Sequence, residues 1–242
     1  MNPIFFAVAG IIGWLAGVLG NLLADHLPEQ GDGRAEGKSP TAISGLWHYL
    51  TLPWYLPRKG LCPCCKTRRS RRAPLLEAAL MVAFIVTAWL APDGGALWVA
   101  WFDVAFLAVV LVIDLEHRRV LNLMLIPAAM LLIAFSLLPG VLDPVTVLLG
   151  GAVGLALFGV LKWLSRGALG MGDVKLAGVI GLMVGYPSVV YALTGGALLA
   201  GLAALALLFS RKATLKSTMA YAPYLSISAT LIIWNLLWNA SR

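Results

Sequence analysis

Ala96-Leu97-Trp98-Val99-Ala100-Trp101-Phe102-Asp103-Val104-Ala105-Phe106-Leu107-Ala108-Val109-Val110-Leu111-Val112-Ile113-Asp114 decides the fold. Residues 96–113 hold one ionisable side chain, Asp103, and the run ends on a second, Asp114. A helix needs roughly 20 predominantly apolar residues to cross the hydrocarbon layer of a bilayer, so the stretch reads as a span with one carboxyl inside it and another at its end. Ionisable groups at membrane depth are costly, and each is by default a functional position. Comparable apolar stretches lie at 4–23, 75–91, 121–138, 144–164, 174–187, 189–209 and 219–238. The whole chain agrees: of 242 residues, 60% are apolar and 12% charged, against about half and a quarter in an ordinary soluble domain.

The expected fold class is all-α, a polytopic transmembrane helix bundle of about eight helices with one cytoplasmic loop after the first helix. Three regions follow: a first transmembrane helix at 1–23, a basic cytoplasmic loop with a cysteine cluster at 24–73, and a seven-helix membrane region at 74–238. The first stretch lacks a basic leading region and is too long for a secretory signal, so it reads as a helix. In the eight-helix layout, 17 of the 18 Lys and Arg residues fall on one side, in the long loop, at Arg118 and Arg119, at Lys162, Arg166 and Lys175, and at Arg211, Lys212 and Lys216. Cytoplasmic loops carry such an excess. The net charge of +7 therefore reports topology rather than nucleic-acid binding. Both termini are expected outside the cytoplasmic membrane, with Asp114 and Asp173 near its cytoplasmic face. Trp47, Tyr49, Trp54 and Tyr55 suit a loop lying on the bilayer surface, where its bases meet anionic lipid.

Asp173 closes Gly170-Met171-Gly172-Asp173, at an expected helix start. The two glycines permit a tight turn and the close approach of another backbone, such as an extended substrate. Two carboxyls brought to about 3 Å do not both ionise near neutral pH. The ionised one takes a proton from an attacking water while the protonated one donates to the carbonyl oxygen, and the protons titrate as a property of the pair. Taken singly, each aspartate is equally an ordinary helix cap or a partner for a nearby Arg such as Arg118. Glycines spaced by three and four, at Gly10, Gly13, Gly17 and Gly20, at Gly150, Gly151 and Gly154, and at Gly178, Gly181 and Gly185, mark faces that touch another helix closely. Asp103, eleven residues before Asp114 and so on the same helix side, reads as a buried hydrogen-bonding group.

The motifs together resemble the type IV prepilin peptidases, membrane aspartic proteases of the Gly-x-Gly-Asp class. Gly17 to Pro28 is similar to the end of that family's first helix, and Cys62-Pro63-Cys64-Cys65 through Glu77 to its second Cys-x-x-Cys and the following Pro-Leu-Val-Glu. Ile113-Asp114-Leu115-Glu116-His117-Arg118-Arg119 resembles its first catalytic segment, Gly170-Met171-Gly172-Asp173-Val174-Lys175-Leu176 its second, and Ala222-Pro223-Tyr224-Leu225 the start of its last helix. The resemblance implies an aspartic endopeptidase with Asp114 and Asp173 catalytic and Gly170, Gly172 and Lys175 binding or positioning the substrate. The substrate implied is a prepilin or pseudopilin precursor of a type IV pilus or protein-secretion apparatus. Its short basic leader would be cut off at the cytoplasmic membrane face, with N-methylation of the product as a second activity in many members. Proteolysis of this kind requires no cofactor. S-adenosylmethionine enters only if methyltransferase activity is retained.

The chain departs from the family in its loop. Many members have two Cys-x-x-Cys pairs, a ligand set suited to zinc; here only Cys62 and Cys65 keep that spacing, with Cys64 as an extra thiol. Cys62 and Cys65 are the candidate metal residues, and the plainer alternative is a reduced cytoplasmic thiol cluster without metal. Leu121 stands where the family has proline. Two readings from other classes compete: a proton-coupled transporter using Asp103, Asp114 and Asp173 as a relay, and a non-catalytic assembly scaffold. The Pro-Ala-Leu motif of presenilin-type proteases is not found.

Overall fold

The computed structural model describes residues 3–31, 72–91, 93–117, 122–138, 142–165, 169–210 and 220–242. All regular structure among them is helical: α1 (Pro3–Gly31), α2 (Arg72–Leu90), α3 (Gly94–His117), α4 (Asn122–Ser136), α5 (Pro144–Leu164), α6 (Met171–Val184), α7 (Ser188–Phe209) and α8 (Ala222–Ala240). The protein is a polytopic helical bundle, and α1, α2, α3, α5 and α7 are long and apolar enough to cross a membrane. At 14 residues, α6 is only about 21 Å long, short of the roughly 30 Å of hydrocarbon. The cysteine cluster, the aromatic loop, Arg118, Arg119 and Leu121 lie outside the described residues.

The chain divides into two compact units, 1–90 and 91–242. α2 packs with α1 in the first of them. The reason is the glycine face of α1. A Cβ on Gly13 would stand 2.6 Å from the Leu80 carbonyl oxygen, and one on Gly17 would stand 2.6 Å from Glu77 Cα. The two backbones thus lie in direct apposition, antiparallel. Trp14 Nε1 donates to Glu77 Oε2 at 3.0 Å, and Asn21 Nδ2 donates to the Ala73 carbonyl at 3.0 Å. Glu77 and Asn21 are fully buried. A little further on, Arg72 forms an ion pair with Asp25. These contacts explain why α1 runs on to Gly31 rather than stopping where its apolar run ends at residue 23.

In the second unit α6 is central, with ten of its fourteen residues buried and α4, α5, α7 and α8 packed against it. Local chemistry starts the helices on the side read as non-cytoplasmic. Asp93 Oδ1 accepts from Ala96 N at 2.8 Å ahead of α3, and Asp143 Oδ2 accepts from Thr146 N at 3.0 Å ahead of α5, where Pro144 occupies the first turn without a donor to lose. At the other end of α6, Gly185 takes φ 68° and its N–H donates to the Gly181 carbonyl, a helix stop that favours glycine. The next residue ties back to α5, Tyr186 N donating to the Thr146 carbonyl at 2.9 Å.

The seam between α5 and α6 is backbone on backbone. A Cβ on Gly150 would overlap the Gly181 carbonyl oxygen, one on Gly181 the Gly150 carbonyl oxygen, and one on Gly154 the Ala177 carbonyl oxygen. Lipid supplies no hydrophobic drive between helices, so close van der Waals contact of this kind is what holds them. Gly159, on α5 as well, has nothing within 4 Å of a Cβ position. Gly181→Ala is therefore expected to lower unfolding stability in detergent by about 1–3 kcal/mol, while Gly159→Ala leaves it unchanged or slightly higher. Thermal melts of the two variants against wild type check the contrast, and equal melts would show that the seam is not closed.

Candidate active site

Asp114 sits near the end of α3, 4% exposed. Its Oδ2 accepts a hydrogen bond from the backbone N–H of Ala222 at 3.1 Å. Ala222 is the first residue of α8, a helix with no side-chain cap of its own and with Pro223 next in line. Helix starts leave N–H groups without intrahelical partners and carry partial positive charge. A carboxylate borrowed from another helix answers both needs, so Asp114 caps α8 in place of a local Ser or Asp.

Asp173 occupies the third position of α6, after the cap Gly170 at φ −65°, ψ 147°. Its carboxylate reaches back to the Gly170 backbone N–H, half of a capping box. Gly170 turns the chain into α6 with ordinary extended backbone angles; among the described residues only Gly185 has positive φ. Gly170 leaves room, since a Cβ there would stand 3.1 Å from Asp173 Oδ2. Gly172 lies within the first helical turn. Lys175 is two residues on from Asp173 and so points elsewhere; its Nζ donates to Asn122 Oδ1 at 2.9 Å, across to α4.

Asp173 precedes the apolar run 174–187 and lies outside it. Its carboxyl is pushed up to about 6, first by burial and then by the negative charge of Asp114, against a smaller opposing effect of the Gly170 N–H. Tyr221, the residue before α8, is raised by burial and by the charge of Asp173. Its ring meets Phe158 of α5 edge-on at 6.1 Å. The structure thus gathers Asp114 from α3 and Asp173 from α6 around the start of α8, with Tyr221 beside them.

Other expected residues fall elsewhere. Asp103 is buried with its Oδ1 unpartnered, about 16 Å along α3 from Asp114. His117 is exposed. Cys62 and Cys65 lie outside the described residues, among which no cluster of three or more His, Cys, Asp or Glu is placed to hold a metal ion. Sequence reasoning missed Tyr221, the Ala222 N–H and Asn122. The Ala222-Pro223 pair pointed to a helix start, but a backbone donor carries no side-chain signal.

The fold and this site define a multi-pass helical membrane protein with two acidic side chains collected at one end of its larger unit. Residues 101–205, which contain both, match the type IV leader peptidase family. It is 27% identical over 196 residues to the prepilin leader peptidase/N-methyltransferase of Pseudomonas putida, covering 78% of this chain and 67% of that one. It is 30% identical over 142 residues to the type 4 prepilin-like proteins leader peptide-processing enzyme of Escherichia coli, covering 55% and 52%. Identity to the prepilin leader peptidase/N-methyltransferase of Bacillus subtilis is 25% over 177 residues, covering 73% and 71%. The chain thus spans about half to two thirds of the length of the first two relatives. No solved structure matches it.

Two measurements test the site as drawn. Asp114→Ala strands a buried N–H at the start of α8 and is expected to cost about 1–3 kcal/mol; Asp114→Asn keeps an acceptor oxygen and melts closer to wild type. Equal losses in detergent melts would remove the capping role. For Asp173 the folded pKa is raised from 3.8 to about 6, so the folded chain holds a proton that the unfolded chain has released. The stability this contributes is complete below pH 3.8 and is lost as pH rises through about 6. Melting temperature against pH should fall across that window in wild type, and Asp173→Asn should lack that slope.

Proposed function

We propose that this chain is an intramembrane aspartic endopeptidase that removes the short basic leader from type IV pilin-like precursors, prepilins or pseudopilins, at the cytoplasmic membrane face. The observation that carries the reading is the meeting of Asp114 and Asp173, from different helices, at the start of α8, with Asp173 raised to about 6 by burial and by Asp114. A carboxyl raised beside an ionised one supports a pair that shares one proton near neutral pH once the two are brought together. In the reaction, a water held between them loses a proton to the ionised carboxylate as its oxygen attacks the scissile carbonyl carbon. The protonated carboxyl gives its proton to the carbonyl oxygen. On collapse of the tetrahedral intermediate the carbonyl re-forms, a proton passes to the departing amine nitrogen, and the pair is left with a single proton.

The distribution of Lys and Arg supports a cytoplasmic position for this end of the protein in the cytoplasmic membrane, with both termini on the other side. A precursor whose apolar helix lies in the bilayer would present its basic leader there. Gly170 and Gly172 keep the approach to Asp173 narrow-walled and free of side chains, and Lys175 positions α6. The names of the relatives from Pseudomonas putida and Bacillus subtilis include N-methyltransferase; methyl transfer is not part of this proposal. A proton relay through Asp103 gains nothing from the geometry, for α3 offers no ionisable group between Asp103 and Asp114.

The test incubates the purified protein in detergent with a pilin-type precursor. Asp114→Asn and Asp173→Asn should each lower leader removal by about 10³-fold or more while the variants still fold. Cleavage at wild-type rate in either would remove the paired-acid mechanism.

A further inference from the structure

The relative position of Asp114 and Asp173 needs a cause. The helices that carry them, α3 and α6, make no extended contact with each other among the described residues; α8 packs against both. One further link joins their chain segments. Lys175 Nζ, two residues from Asp173, donates to Asn122 Oδ1 at 2.9 Å, and Asn122 is the first residue of α4, eight residues beyond Asp114. The bond ties the first turns of α6, which carry Asp173, to the first residue of α4.

The orientation of Asn122 is informative. An Asn at a helix start commonly turns its side-chain oxygen onto the N–H groups of its own helix. Here that oxygen faces an ammonium on a different helix, a charge-assisted contact at the exposed rim of the unit. Lys175 in turn faces away from Asp173, so its charge is aimed at α4 and not at the carboxyl pair.

We propose that Asn122 is a positioning residue, and that its bond to Lys175 fixes the start of α6 against the chain leaving α3 and so sets the spacing of the two aspartates. This inference rests on the endopeptidase reading. It assigns to Lys175 a named partner and a mechanical role. Small misplacements of reacting groups are expensive: about 1 Å costs on the order of 100-fold in rate.

The test measures kcat and KM on a pilin-type precursor for the full chain in detergent, as wild type, Asn122→Ala, Asn122→Asp, Lys175→Met and the Asn122→Ala/Lys175→Met pair. Each of Asn122→Ala and Lys175→Met is expected to lose about tenfold or more in kcat with KM within about twofold of wild type. The double variant should lose no more than the worse single one, because the two act as one contact. Asn122→Asp keeps an acceptor oxygen and should recover most of the lost kcat. Full kcat in Asn122→Ala, losses that multiply in the double variant, or an Asn122→Asp as impaired as Asn122→Ala would each overturn the proposal. Asp114→Asn separates it from the reading beneath: an active wild type with an inactive Asp114→Asn sustains the endopeptidase whatever Asn122 does. An inactive wild type, or an active Asp114→Asn, removes both.

Discussion

One hydrogen bond organises the second unit: the first N–H of α8 on the buried carboxylate of Asp114. It joins the end of one helix to the start of another that arrives 108 residues later in the chain. The helix start gains the negative partner it lacks locally, and the carboxylate gains a donor in a place where water is scarce. Because α8 also packs against α6, the same contact brings the segment bearing Asp173 within electrostatic reach of Asp114. The start of α8 and the charge that acts on Asp173 thus rest on one side chain.

The polar groups of this chain are few and none is casual. In the first unit Glu77 is fully buried yet accepts from Trp14 and Asn21, as a carboxylate among apolar helices must if it is not to cost far more than it contributes. Asp93 and Asp143 start helices. Among the described residues Asp103 Oδ1 and Ser226 Oγ are buried without a hydrogen-bond partner. The rest of the adhesion is supplied by glycine, on α1 against α2 and on α5 against α6, where the absence of a side chain lets peptide groups touch.

Much of this was legible in the sequence. Apolar length gave the helices, because in a bilayer every backbone group must be satisfied within its own segment. Glycine spacing marked the contact faces, and the two aspartates stood out because a membrane chain does not carry them without reason. Helix ends were less readable. α1 continues beyond its apolar run because Asn21 and Asp25 find partners on α2, which depends on a tertiary neighbour and not on local composition. The detail at Gly170 was not readable either: glycine marked room for a close approach, and the side chain that comes close is that of Asp173, three residues on. The Ala222 donor and the Asn122 contact were invisible, since both are relations between distant segments.

The glycine seam has a consequence for traffic. With peptide groups of α5 pressed on those of α6, no third chain can thread between these two helices. They form a sealed wall on one flank of Asp173. Any polypeptide delivered from the bilayer to the carboxyls must come from another quarter, so a partner segment meets the acids from a restricted direction. Under the proposed function, glycines that carry no side chain at all would thereby limit the sides from which a substrate reaches Asp173.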